Sequence, residues 1–291
     1  MRTYETPEPI SLSFELGIAD IHIAAGERTD TVVDVRPSNP DSKADVAAAE
    51  HTRVELVDGR LSVKAPKDWR RYTPQSGRES IDVEIALPSG SRVDGEAGVA
   101  ELRSTGRLGE LRYKAGAGAI RLDQTGPLTI QTGAGNVSVE QAQGGAEIKT
   151  GSGAIEVGGV DGPAKVRNAN GNTWIGDVAG ELRANAANGR IAVDRAGAAV
   201  QAKTANGDIL LGAVGHGSVV AETAFGRVDI GVVDGVPAWL DLNTKFGKVS
   251  NELEASDRPG PGDTAVEIRA RTSFGDIAVH RAGAELAEAR S

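Results

Sequence analysis

The chain has 291 residues, a formal net charge of −9, no cysteine, 3% aromatic residues and 38 glycines. The missing cysteine excludes disulfides, thiolate nucleophiles and Cys-based zinc sites, and the acidic balance counts against non-specific binding of nucleic acid. So much glycine with so few rings argues for a β architecture rich in turns, not a helical bundle with long apolar stretches at 3.6-residue spacing.

At the start, MRTYETPEPISLSFELG has no basic segment followed by an apolar run of signal-peptide length. No stretch approaches the roughly 18 apolar residues needed to cross a bilayer, so a cytoplasmic protein is expected. Residues 1–95 keep period-2 strand patterning in LSFELGIADIHIAAG, TVVDVRP, TRVELVDGRLSVKAP and SIDVEIALPSG, with DGRLSV reading as a hairpin turn. This part is expected to be a less regular β cap. Within it, PKDWRRYTP sets Trp69, Arg70, Arg71 and Tyr72 in one loop, residue types favoured at binding hot spots. The competing reading is that Trp69 pins the loop onto the cap.

From residue 96 to 281 one phrase recurs: GAGAIRL, GAGNVSV, GSGAIEV, ANGNTWI, ANGRIAV, ANGDILL, AFGRVDI, KFGKVS and SFGDIAV. Its anchor glycines are Gly118, Gly135, Gly153, Gly171, Gly189, Gly207, Gly226, Gly247 and Gly275, mostly 18 residues apart, and EAGVAEL places a looser copy at Gly98. Apolar residues stand two and four positions after each anchor and five and seven before it, so each unit holds two short strands joined by a Gly corner. A further apolar position follows at plus seven, as at Val160, Val178, Val214 and Val233. An 18-residue unit cannot bury its own apolar face, but stacked units can. The pattern predicts an all-β, right-handed parallel β-solenoid, about 18 residues per rung, whose ten rungs would span roughly 45–50 Å at strand spacing. A hairpin sandwich would need no fixed 18-residue offset.

Columns across the repeats support stacking. The position before the anchor carries Asn170, Asn188 and Asn206, then Phe225, Phe246 and Phe274, a ladder of amides followed by rings expected to pack face to edge. Three before the anchor, Thr recurs at Thr132, Thr150, Thr204, Thr223, Thr244 and Thr272. Residues 252–264, rich in Pro, Gly and acids, read as a loop insertion, and 282–291 as a tail that is either a short helix or a frayed end.

These recurring strings, TGAGNVSVE, TGSGAIEVG and TANGDILLG, resemble the bacterial β-strand-repeat family of adhesin-like proteins known as domain of unknown function 4097. The resemblance covers roughly residues 10–280. It implies a β-solenoid with an adhesin or scaffold role, and it brings no functional residues to carry over.

The Gly-rich strings lead into strands, whereas a dinucleotide fingerprint opens a helix. The histidines His22, His51, His216 and His280 have no acidic or His partner at ligand spacing nearby in sequence, so neither metal nor cofactor is expected. The outward acids Asp123, Glu140, Glu156, Asp194, Asp208, Asp229 and Asp276 are dispersed, unlike the paired carboxylates of glycoside hydrolysis. Two features remain. Outward positions six and four before the anchors carry Arg112, Lys114, Lys149, Lys165, Arg167, Arg183, Lys203, Arg269 and Arg271 against only Glu147, Glu222 and Asp241. This is a basic sheet face that either solvates the sheet or docks an acidic surface. Trp174 is a further outward aromatic.

The expected function is a non-enzymatic scaffold or protein-interaction module. Its partner would be another protein or a second copy stacking through open solenoid ends, with an acidic glycan or membrane surface as a further class and no nucleic acid. The alternatives are a carbohydrate-binding or polysaccharide-cleaving β-helix and a self-assembling structural one.

Overall fold

A computed structural model describes residues 1–65, 79–253 and 265–283. The chain packs as two compact units, Met1–Gln143 and Gly144–Ser291. Among the described residues no helix is long and apolar enough to cross a membrane.

The first unit runs β1 (Arg2–Glu5), β2 (Ser11–Gly26), β3 (Asp30–Pro37), α1 (Lys43–His51), β4 (Arg53–Val57), β5 (Arg60–Lys64) and β6 (Ser80–Pro88). It continues with β7 (Arg92–Arg107), β8 (Leu111–Ala117), β9 (Ile120–Thr125), β10 (Leu128–Ala134) and β11 (Val137–Ala142). From β7 onward the pairing is parallel: β8 and β9 lie on β7, and β10 and β11 lie on β8 and β9. Beneath β7 lies β2, parallel and in register from Ser11↔Arg92 to Ala24↔Thr105. The first rung is therefore an N-terminal strand that the 18-residue spacing does not reach. Its other edge is taken by β5 and β6. The cap then turns antiparallel, with β3 on β6, β1 on β3 and β4 on β5. The β4–β5 turn is the DGRLSV hairpin, with Asp58 and Gly59 at positive φ as a two-residue turn of type I′ requires.

Helix α1 has no apolar stripe and was not legible from periodicity. Its start is written in SKAD: Ser42 caps it by accepting from the Asp45 N–H, while the buried Asp45 carboxylate accepts from the Ser42 hydroxyl, Asn39 N–H and Ser80 N–H.

One sequence alignment needs correcting. Val99 pairs with Ala117 and Leu102 with Ile120, so Ala100, not Gly98, stands in the anchor column. Gly98 instead shares a column with Gly116, whose added Cβ would sit 2.5 Å from the Gly98 oxygen. The reason is local: β7 passes this corner as one extended strand, and the first anchor with positive φ is Gly118.

The second unit is built from strand pairs, one per rung. They are β12 (Ala146–Ser152) with β13 (Ile155–Val160), β14 (Ala164–Asn170) with β15 (Thr173–Val178), and β16 (Leu182–Asn188) with β17 (Ile191–Ala196). Then come β18 (Val200–Asn206) with β19 (Ile209–Val214), β20 (Ser218–Phe225) with β21 (Val228–Val232), β22 (Ala238–Phe246) with β23 (Val249–Asn251), and β24 (Val266–Phe274) with β25 (Ile277–Arg281). Equivalent strands pair in parallel and in register. The inward columns, such as Ile155, Thr173, Ile191, Ile209, Val228 and Ile277, are buried. This is the parallel β-solenoid that the repeat predicts. At the fifth of these rungs a bulge drops one residue, so Val232 rather than Val233 pairs with Val214, and Val233 is left exposed.

The last rungs are out of chain order. Strand β24 pairs with β20 on one side and β22 on the other, and β25 likewise lies between β21 and β23. The C-terminal rung has been inserted, and β22 with β23 forms the end. The ring ladder follows: Phe274 stands between Phe225 and Phe246, with centroids 5.0 and 4.8 Å apart and interplanar angles of 2° and 9°. The rings stack face to face rather than face to edge, because in-register strands repeat one rotamer at one strand spacing. The amide ladder is continuous and directional, Asn206 donating to Asn188 at 2.9 Å and Asn188 to Asn170 at 2.8 Å.

Four of the six column threonines are explained by backbone carbonyls of the neighbouring rung, while Thr132 and Thr150 donate to Ala134 and Ser152 oxygens of their own rung, at 3.2 and 3.4 Å. Thr204, Thr223, Thr272 and Thr244 each donate to the corner glycine oxygen of the rung below, at 3.3, 2.9, 3.1 and 2.9 Å. Where the column lapses to Ala186, the buried Asn168 amide donates to both Gly153 and Gly171 oxygens, at 3.0 and 2.9 Å. A buried carbonyl left without a donor costs about 1–3 kcal/mol, which is why a hydroxyl recurs at this position.

Candidate functional site

The outward faces of the rungs carry the charges. In the first unit Arg112 pairs with Glu110 at 2.5 Å and Lys114 with Glu96 at 3.4 Å, so this portion of the face is balanced. In the second unit β12, β14 and β16 bring together Lys149, Lys165, Arg167 and Arg183. Lys149 lies opposite Arg167, and Lys165 lies between Glu147 and Arg183. Lys165 pairs with Glu147 at 2.9 Å and Arg183 with Glu181 at 2.8 Å. Among the described residues Lys149 and Arg167 form no salt bridge, and both are exposed. The Lys165 hydrogen bond, together with the charges of Arg167 and Lys149, holds the Glu147 carboxyl below the usual carboxylate range.

Farther along the same unit the bases are matched. Lys203 pairs with Glu222 at 2.8 Å, Arg269 with Asp241 and Glu267 at 3.2 and 3.1 Å, and Arg271 with Asp241 at 3.6 Å. The nine sequence-selected bases therefore divide into balanced stretches and one stretch of four cations facing two carboxylates.

The other candidates fall elsewhere. Trp69, Arg70, Arg71 and Tyr72 lie outside the described residues. Trp174 is half-buried, its indole N–H donating to Asp194 at 3.0 Å. Among the dispersed acids, Asp208 and Asp276 accept the backbone N–H of the residue in the next rung's corner, Arg227 and Lys248, at 2.9 and 2.8 Å. Asn172 does the same for Arg190 at 3.1 Å. These are corner staples, and the Asn or Asp directly after several anchors was the signal for them.

One cluster was hidden by sequence distance. Because β25 lies on β21, His280 Nε2 meets Asp229 at 2.7 Å, 51 residues away, and Asp229 also pairs with Arg227. His280 Nδ1 lies 2.9 Å from the Arg281 oxygen. The His280–Asp229 contact joins β25 to β21, which makes it a rung-to-rung tie. Among the described residues no group of three His, Asp or Glu side chains is placed to hold a metal ion.

A family model described as Toastrack DUF4097 matches residues 10–280. No curated protein matches the sequence. Among solved structures, the chain is similar to a candidate lipid-binding protein from Parabacteroides distasonis ATCC 8503. Identity is 13%, coverage 97% of this chain and 96% of that one, and the TM-score 0.41. It is also similar to candidate adhesins from Parabacteroides merdae ATCC 43184 and Bacteroides fragilis NCTC 9343. The first shows 13% identity, coverage of 96% and 94%, and TM-score 0.36. The second shows 12% identity, coverage of 96% and 95%, and TM-score 0.34.

Proposed function

The chain belongs to the Toastrack DUF4097 family, and from that premise we propose that it is a non-enzymatic interaction module that docks an acidic partner on its outer rung face. The observation that carries this reading is the stretch Lys149, Lys165, Arg167 and Arg183 on three adjacent strands, paired among the described residues with Glu147 and Glu181 alone. Strand pairing fixes these charges on a lattice of about 4.8 Å between rungs. A fixed lattice loses little conformational entropy on binding, and its attraction falls as salt screens it. The net charge of −9 makes such a local cationic stretch selective for where a polyanion lands.

Heparin serves as an acidic probe. The wild-type chain is expected to be retained at low salt, and the double variant Lys149→Glu/Arg167→Glu to elute without retention. Neither residue holds an ion pair among the described residues, so melting temperature is expected to stay unchanged. Equal retention of the variant and the wild type, or no retention of the wild type, would end this reading.

A further inference from the structure

The end of the second unit is unlike its other rungs. On β20 and β24 the inward positions Val219, Ala221, Ile268 and Ala270 are fully buried, whereas the equivalent Leu240 and Leu242 of β22 are half-buried. On β23, Val249 is 47% exposed where its neighbour Ile277 on β25 is buried. Beside them Trp239 is 60% and Phe246 65% exposed. Among the described residues Phe246 is the last ring of the ladder, stacked on Phe274 on one face only. Among the described residues β22 pairs with β24 alone and β23 with β25 alone. Among the described residues the outer edge of both strands thus offers unpaired backbone groups next to apolar side chains, a template for a further strand.

We propose that this edge pairs with the same edge of a second copy of the chain, closing a two-fold dimer. The sequence of β22 is self-complementary when run antiparallel on itself. Centred on Asn243, the pairing sets Asp241 opposite Lys245 twice, Leu242 opposite Thr244 twice and Leu240 opposite Phe246 twice, with no like charges opposed. Directly opposed residues on an antiparallel pair share a face, so the half-buried leucines gain cover and the inter-chain ion pairs sit outside. Asp241 is already oriented by Arg269 at 3.2 Å. A head-to-tail stack onto the first rung of another copy is closed off, because the outer edge of β2 is occupied by β5 and β6. A self-complementary patch gives a closed pair, not a filament. This dimer uses a different surface from the cationic face, and the two readings stand or fall separately.

Sedimentation of the full chain at about 100 µM tests it, a concentration at which even a micromolar dimer is nearly complete. Twice the chain mass is expected. Lys245→Glu opposes like charges at two sites and is expected to weaken the dimer about tenfold. Leu242→Lys, which places a charge on the paired edge, is expected to give monomer. Lys245 is an exposed position, so that variant keeps the fold in the event that Leu242→Lys does not. A wild-type monomer, a higher assembly, or a dimer unaffected by Lys245→Glu overturns the proposal.

Discussion

Gly207→Ala is expected to cost about 4 kcal/mol or more, a large fraction of the stability of a folded domain. Its φ is +142°, a conformation that side-chain-bearing residues rarely adopt, and the added Cβ would fall 2.5 Å from the Gly189 carbonyl carbon and closer still to its oxygen. The rung cannot move away. Gly189 N–H donates to the Asn206 oxygen and Gly207 N–H to the Phe225 oxygen, each at 2.8 Å, so the corner is held from both sides. The crowded Gly189 oxygen is also the acceptor of the Thr204 hydroxyl. Chemical denaturation checks this against Gly26→Ala, where the new Cβ meets nothing within 4 Å and φ is not left-handed. That control is expected within about 0.5 kcal/mol of wild type. Equal midpoints for the two variants would contradict the corner account.

The second large effect is alkaline. Tyr113 is 2% exposed, packs its ring 5.8 Å from that of Phe14, and its hydroxyl has no hydrogen-bond partner among the described residues. Burial pushes its phenol up to about 12 from an ordinary value of 10.0. The folded state therefore holds this proton more tightly than the unfolded chain does. The stability it contributes is complete below pH 10 and is lost as pH rises toward 12, by about 2–3 kcal/mol in total. Tyr113→Phe removes that loss, and by deleting an unpaired buried hydroxyl it is expected to add up to about 1 kcal/mol at neutral pH. Urea midpoints of both proteins at pH 8 and pH 11 read the difference directly, since other groups titrating there act on both alike. A variant that loses as much as the wild type between these pH values would contradict it.

What the sequence made legible follows from its period. The anchors from Gly118 to Gly226 repeat at nearly constant spacing because each needs the same left-handed corner under the same carbonyl, so register could be counted by eye. Legibility stopped where that constraint relaxes. At Ala100 the corner is passed in extended conformation, and a nearby Gly98 misled the alignment. The β2 strand carries LSFELGIADIHI, as apolar in alternation as any rung, yet 81 residues separate Ser11 from its partner Arg92, and no period announces such a jump. Chain order also failed at the end. Nothing in AFG, KFG and SFG states which phenyl lies in the middle, because all three satisfy one column equally.

The basic columns were legible as residue types, since outward positions alternate strictly. Which of them stay unmatched was not. Glu110 and Glu181 lie just outside the two columns, and reach Arg112 and Arg183 from the preceding turn. The His280–Asp229 tie was invisible for the same reason as the rung order: it exists only because β25 lies on β21.

Rung order is the claim on which the stacked fold and the open edge both rest, and paired cysteines measure it. The chain has no native cysteine, so each double variant reports one distance. Adjacent rungs lie about 4.8 Å apart and fit a disulfide, while rungs two apart, at about 9–10 Å, do not. Phe225→Cys/Phe274→Cys is expected to oxidise within the monomer under mild conditions, and Phe225→Cys/Phe246→Cys to remain reduced. Oxidation of the second pair in preference to the first would contradict the inserted rung and, with it, the end assigned to β22.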